Sequence, residues 1–116
     1  MSKTILVIED DLLIQELLVT LLESEGFATL AAEDGAEGCR LALQCRPDLV
    51  LSDLSLPGLD GLEVARRLSR DGLRVLAVTA HSRPEDLRNI EEAGFCGLLA
   101  KPVHPDTFGQ QVRAWL

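Results

Sequence analysis

Ile5-Leu6-Val7-Ile8-Glu9-Asp10-Asp11 is the stretch that decides the fold. Four aliphatic residues follow one another with no polar alternation, as a strand buried on both faces requires. Strands of that kind belong to parallel sheets with helices on either side. The run stops abruptly in three acids, and Asp10 or Asp11 can cap a helix. A helix follows: Ile14, Leu17, Leu18, Leu21 and Leu22 recur at helical spacing, and Gly26 is a natural stop.

The same strand-and-helix unit repeats along the chain. A short strand is predicted near Ala28–Ala31, and Asp34 caps a second helix running to about Cys45. Pro47 breaks it, Leu49-Val50-Leu51 forms a third strand, and Pro57-Gly58 marks a loop. Asp60 caps a third helix with Leu62, Ala65 and Leu68 facing in, and Gly72 closes it. Arg74 to Val78 reads as the fourth strand. Ser82 and Glu85 make a capping-box pattern around Pro84, and Leu87, Ile90 and Ala93 line the helix that Gly94 ends. Gly97 to Ala100 is a fifth strand. Pro105 suits the first residue of a last helix that buries Phe108, Val112 and Trp115 or Leu116. Strands alternating with helices imply a parallel sheet covered on both faces, with right-handed crossovers. The expectation is one α/β domain over residues 1–116, a three-layer sandwich. Periodicity leaves the strand order open.

Composition narrows the function. Of 116 residues, 47% are apolar, which is enough for one core and too rich for a disordered chain. The net charge of −8 opposes direct binding to nucleic acid or to an anionic membrane. With three Phe, one Trp and no Tyr, a base-stacking surface is not expected. Cys39, Cys45 and Cys96 lack metal-ligand spacing and are expected as core-filling thiols of a reducing cytoplasm. No apolar stretch approaches the ~20 residues that span a bilayer, and Met1 to Thr4 do not resemble a signal peptide.

In open parallel sheets, ligands bind at the carboxyl ends of the strands. There this sequence places Glu9-Asp10-Asp11, Ser52-Asp53, Thr79 and Lys101. Each has an ordinary reading: Asp11 as a helix cap, Asp53 in a turn, Thr79 as a β-former, Lys101 as a solvated charge. Together they deliver several acids, a hydroxyl and an ammonium to one edge. Gathered carboxylates repel and call for a cation. Hard oxygen ligands favour Mg²⁺, which accepts phosphate as a co-ligand. A carboxylate can act as a nucleophile toward phosphorus, with positive charge and a hydroxyl on the phosphoryl oxygens. The set is complete for phosphoryl transfer to an aspartate. It is incomplete for other common chemistries: there is no P-loop and no GxGxxG, and Ser52 and Ser55 lack a nucleophile-elbow context. His81 and His104 lack a zinc-ligand pattern.

At this point the chain resembles the receiver domain of response regulators, the CheY-like superfamily of two-component signalling. The resemblance rests on Ile5 to Asp11, on Pro47-Asp48-Leu49-Val50-Leu51-Ser52-Asp53-Leu54-Ser55-Leu56-Pro57-Gly58-Leu59-Asp60-Gly61, on Val78-Thr79-Ala80, on Ala93-Gly94-Phe95 and on Lys101-Pro102. It implies a flavodoxin-like fold with strand order 2-1-3-4-5. It implies Asp53 as phosphoacceptor, and Mg²⁺ or Mn²⁺ held by Asp10, Asp53 and the backbone carbonyl of Ser55, with Glu9 acting on the metal. Thr79 and Lys101 would contact the phosphoryl group beside the small Ala80, and the Lys101-Pro102 bond would be cis. Partners would be a sensor histidine kinase or a histidine phosphotransfer protein, and a downstream protein or covalently linked domain. The chain would not be an enzyme beyond self-directed phosphotransfer and autodephosphorylation. Ser55 and His81 would tune the lifetime of the phosphoryl group.

One position departs from the pattern. Receivers usually carry an aromatic three residues before the lysine, and here it is Leu98. A receiver-fold module that signals without phosphorylation is therefore the alternative. An aspartate-nucleophile phosphatase would need an acid two residues after Asp53, where this chain has Ser55. A stand-alone receiver and a segment of a longer regulator both fit the sequence.

Overall fold

In the computed structural model, which describes residues 2–80 and 83–116, every expected apolar run becomes a strand. Among the described residues the order is β1 Thr4–Ile8, α1 Leu12–Ser24, β2 Ala28–Ala32, α2 Gly35–Cys45, β3 Leu49–Ser52, α3 Gly61–Arg70, β4 Val75–Thr79, α4 Pro84–Ala93, β5 Gly97–Ala100 and α5 Phe108–Arg113. The strands form one parallel sheet in the order β2-β1-β3-β4-β5. The order reverses at β1 and β3, whose carboxyl ends carry Glu9 and Asp53.

Side chains alternate across each strand, so the sheet has two cores. Ile5, Val7, Leu49, Leu51, Leu76 and Val78 pack with Leu18 and Leu22 of α1 and with Phe108 and Val112 of α5. Leu6, Ile8, Val50, Val75 and Ala77 face the other way, against buried residues of α2, α3 and α4. Both cores are almost wholly aliphatic, as the scarcity of aromatics demands.

The helix starts follow their caps. Asp11 accepts from the N–H groups of Leu13 and Ile14, Asp34 from Glu37 and Asp60 from Glu63. Three expectations need correction. The cap of α4 is Arg83, whose N–H donates to Asp86 Oδ2 at 3.3 Å, so the box lies one residue later than Ser82–Glu85. Ser82 and His81 lie outside the described residues. Pro105 does not open α5; it sits in a turn in which His104 O accepts from both Thr107 N and Phe108 N, and the helix begins at Phe108. Of the three cysteines only Cys39 is buried, because Cys45 ends α2 and Cys96 lies in the turn before β5. Of the leucines at helical spacing in α1, Leu17 is exposed at its rim, and Leu116 is exposed while Trp115 packs on Gly97.

Candidate functional site

The last strand-ladder hydrogen bonds aim the site. Glu9 N donates to Ala32 O at 3.0 Å, Asp53 N to Ile8 O at 3.4 Å, and Lys101 N to Thr79 O at 2.9 Å. Each charged residue is the first beyond its strand, with its backbone still held by the neighbouring strand. Three side chains from β1, β3 and β5 are thereby turned toward one point at the carboxyl edge.

There the Lys101 ammonium donates to Glu9 Oε1 at 2.6 Å and to Asp53 Oδ2 at 2.7 Å. The pairs are largely withdrawn from water, with Glu9 only 2% exposed. Asp53 Oδ1 accepts from Leu54 N at 2.6 Å and is 3.5 Å from Ser55 N, which fixes the carboxylate over its own turn. Glu9 Oε2 accepts from Asp11 N at 3.3 Å. Among the described residues no buried side-chain polar atom lacks a partner.

Burial pushes the Glu9 carboxyl up, and the neighbouring Asp10 adds to this; the bonds from Lys101 and Asp11 N–H only partly offset it. Burial also opposes the charge on Lys101, but its bonds to Asp53 and Glu9 outweigh that and raise its pKa. The two directions are compatible. One ammonium serves two carboxylates, so Lys101 gains from both, while Glu9 shares its cation and loses its hydration.

The remaining predicted residues fall around this triad. Asp10 is exposed beside Glu9, and Ser55 is exposed two residues beyond Asp53. Thr79 ends β4, fully buried, between the strands that carry Asp53 and Lys101. Ala80 is exposed at the strand end, and the Lys101-Pro102 peptide is cis. Leu98 is half-buried in β5 opposite Ala77.

Among the described residues no three His, Cys, Asp or Glu side chains converge as a ready metal cluster. Lys101 lies between Glu9 and Asp53, donates to both and balances their charge. The donor set itself, carboxylates of Glu9, Asp10 and Asp53 with backbone carbonyls nearby, is the hard-oxygen chemistry that a small divalent cation prefers.

Residues 5–113 match the response regulator receiver domain model. The chain belongs to the response regulator receiver family. It is 33% identical to the polar-differentiation response regulator DivK of Brucella anthropi over the whole chain and 98% of that protein. It is 38% identical to the DNA-binding response regulator MtrA of Mycobacterium tuberculosis, of which it spans 51%. Among solved structures, it matches the signal receiver domain of the response regulator NarL from Mycobacterium tuberculosis at 29% identity and a TM-score of 0.91, over 98% of this chain and 95% of that one. Vibrio cholerae chemotaxis protein CheY4, at 24% identity and a TM-score of 0.94 over the full length of both chains, shares the fold. Receiver domains generally bind Mg²⁺ at the phosphorylation site, and they interact with histidine kinases and downstream effectors. No helix of this receiver's described residues is long and apolar enough to cross a membrane.

Sequence reasoning missed two residues that shape the site. Gln15 Nε2 donates to Glu9 O and to Ala32 O. Its signal was available: it precedes the buried Leu18 and Leu22 by three and seven residues, so it is a polar residue on the buried face of α1. Gly61 was quoted only as part of a motif. A Cβ there would collide with the carbonyl oxygen of Asp53 and stand 2.6 Å from Leu54 Cα, so only glycine lets α3 start against the Asp53 turn.

Proposed function

We propose that this receiver accepts a phosphoryl group on Asp53 from a phosphohistidine of a sensor histidine kinase or histidine phosphotransfer protein, and that the product changes its affinity for a downstream protein or linked domain. The observation that carries the reading is the Lys101 ammonium, which bridges Asp53 and Glu9 at the sheet edge.

The chemistry is a displacement at phosphorus. An Asp53 carboxylate oxygen forms the new O–P bond as the N–P bond of the phosphohistidine breaks, and the imidazole leaves with the bonding pair. Lys101 then transfers its hydrogen bond from the carboxylate to a phosphoryl oxygen. The Thr79 hydroxyl would donate to another, with the small Ala80 beside it. Asp10, Asp53 and the Ser55 carbonyl would hold Mg²⁺ or Mn²⁺, with Glu9 beside them. When bound, the cation supplies charge neutralisation for the phosphoryl oxygens. Ser55 in place of an acid argues against turnover of external substrates, so the chain would act as a phosphoacceptor and not as an enzyme on other molecules. The net charge of −8 suits protein partners better than direct nucleic-acid or membrane contact, and a cytoplasmic setting follows from that role.

Leu98 favours a second reading, a receiver-fold interaction module that signals without phosphorylation. Intact-protein mass after incubation with Mg²⁺ and a small phosphodonor separates the two. A gain of one phosphoryl group that Asp53→Asn abolishes supports phosphoacceptance. No gain supports the interaction module, and rapid release of phosphate from many donors would point to a phosphatase.

A further inference from the structure

Gln15 stands one turn into α1, where its backbone N–H donates to Asp11 O at 2.9 Å. Its side-chain amide reaches back across the acidic turn to Glu9 O at 3.2 Å and Ala32 O at 3.1 Å. Both partners are carbonyl oxygens that can only accept, so the NH₂ group must face them, one hydrogen to each. The β1–β2 pairing ends at Ile8 and Ala32, and Glu9 O lies beyond it. Gln15 therefore supplies the hydrogen bond that the sheet no longer offers to Glu9, and it does so while gripping the end of β2.

We propose that Gln15 is a positioning residue for the Glu9–Asp10 carboxylates. This rests on the reading that these acids bind a divalent cation. The brace ties β1, β2 and α1 together around the short turn 9–11, and so fixes the backbone from which both carboxylates project. Asp53, just beyond β3, is held by its N–H on Ile8 O, and Lys101, just beyond β5, by its N–H on Thr79 O; neither backbone bond uses the two carbonyls that Gln15 binds. Gln15 thus acts on affinity for the cation and not on the reactivity of Asp53. Partners that orient metal ligands commonly matter by roughly 10- to 100-fold in affinity.

The test compares wild type with Gln15→Met, which keeps length and loses both donors. Titration calorimetry with Mg²⁺ alone should show a dissociation constant raised about tenfold. Phosphorylation by a small phosphodonor at saturating Mg²⁺ should stay within about twofold of wild type, as expected where chemistry is spared. In metal-free protein, amide hydrogen exchange should quicken at Asp10 and Asp11 and not at Leu54 or Ser55. Gln15→Asn, which keeps the amide but shortens its reach, should give an intermediate affinity and guards against a Met variant that folds poorly. Gln110→Met, the same exchange on the exposed face of α5, should change nothing. Unchanged Mg²⁺ affinity in both Gln15 variants would overturn the proposal. So would a saturated phosphorylation rate that falls in step with affinity and with melting temperature, since that marks general damage. If wild type itself fails to bind Mg²⁺, the reading of the acids fails first, and the calorimetry of wild type shows this separately.

Discussion

Lys101 Nζ lies 2.7 Å from Asp53 Oδ2 while its second hydrogen bond, at 2.6 Å, goes to Glu9 Oε1. The ammonium is the charge balance of the edge, and without it two largely buried carboxylates face one another. Removing one member of a buried ionic set leaves the other uncompensated and costs more than the set contributes. Lys101→Met should lower unfolding free energy at pH 7 by roughly 2–4 kcal/mol in metal-free protein. Mg²⁺ should recover part of that loss, because it substitutes for the missing cation. Denaturant unfolding with and without Mg²⁺ is the measurement; a loss that Mg²⁺ leaves untouched would show that Lys101 serves packing and not charge.

Glu9 gives the metal-free protein a specific pH response. Its carboxyl pKa lies above the ordinary value of 4.5 in the folded state, chiefly through burial. Between 4.5 and that higher value the folded chain holds a proton which the unfolded chain has released. The stabilisation from this group is therefore complete below 4.5 and lost as pH rises through the folded value. Other carboxylates add their own slopes, so the measurement is the difference between wild-type and Glu9→Gln stability curves. The difference should slope in that window and flatten above it. Lys101, raised above 10.5, should add a loss of stability at alkaline pH that Lys101→Met lacks.

Gly61 separates two ways in which a glycine matters. At Gly61 an added methyl meets backbone of the Asp53 turn, which cannot swing aside as a side chain could. Gly61→Ala should cost roughly 1–3 kcal/mol of stability, as overpacking does, and should slow phosphorylation of Asp53 by displacing its carbonyl. Gly26, at φ +93° with open space around it, should cost only left-handed strain, about 1–2 kcal/mol, and leave phosphorylation unchanged. Thermal melts and phosphodonor kinetics on both alanine variants decide this.

Much of this was legible in the sequence, for identifiable reasons. Buried strands such as Ile5–Ile8 and Leu49–Leu51 announce themselves by unbroken apolar runs, and Asp11, Asp34 and Asp60 mark helix starts by a local hydrogen bond. The residues at the sheet edge were legible because a parallel sheet brings every strand end to one side. What stayed hidden depends on tertiary distance. That the Lys101 side chain would reach past β4 to bridge Glu9 and Asp53 is a contact between distant residues that no periodicity shows. The brace from Gln15 joins residues 6 and 17 positions away, and no local pattern names its partners. The α5 start was misplaced because Pro105 suits a first helical turn equally well in a tight turn just before one.

Leu98 bears on how a phosphoryl group on Asp53 would be reported to the rest of the molecule. It sits in β5 opposite Ala77 and packs with the core shared by Ile90 and Ala93 of α4. With Leu87, Phe95 and Gly97 it lines a groove between α4 and β5. An aliphatic side chain held there has no ring to rotate, so on the proposed function the signal is expected to pass through backbone. Thr79, buried at the end of β4 and joined through its carbonyl to Lys101 N, would then connect the site to that backbone. A phosphoryl mimic with Mg²⁺ should therefore shift amide resonances across residues 84–93 as well as those next to Asp53. Leu98→Ala should preserve that spread, while Thr79→Ala should confine it to the Asp53 turn. Wild-type shifts limited to the neighbours of Asp53, or a spread lost in Leu98→Ala, would show that the message does not leave by way of Thr79 and α4.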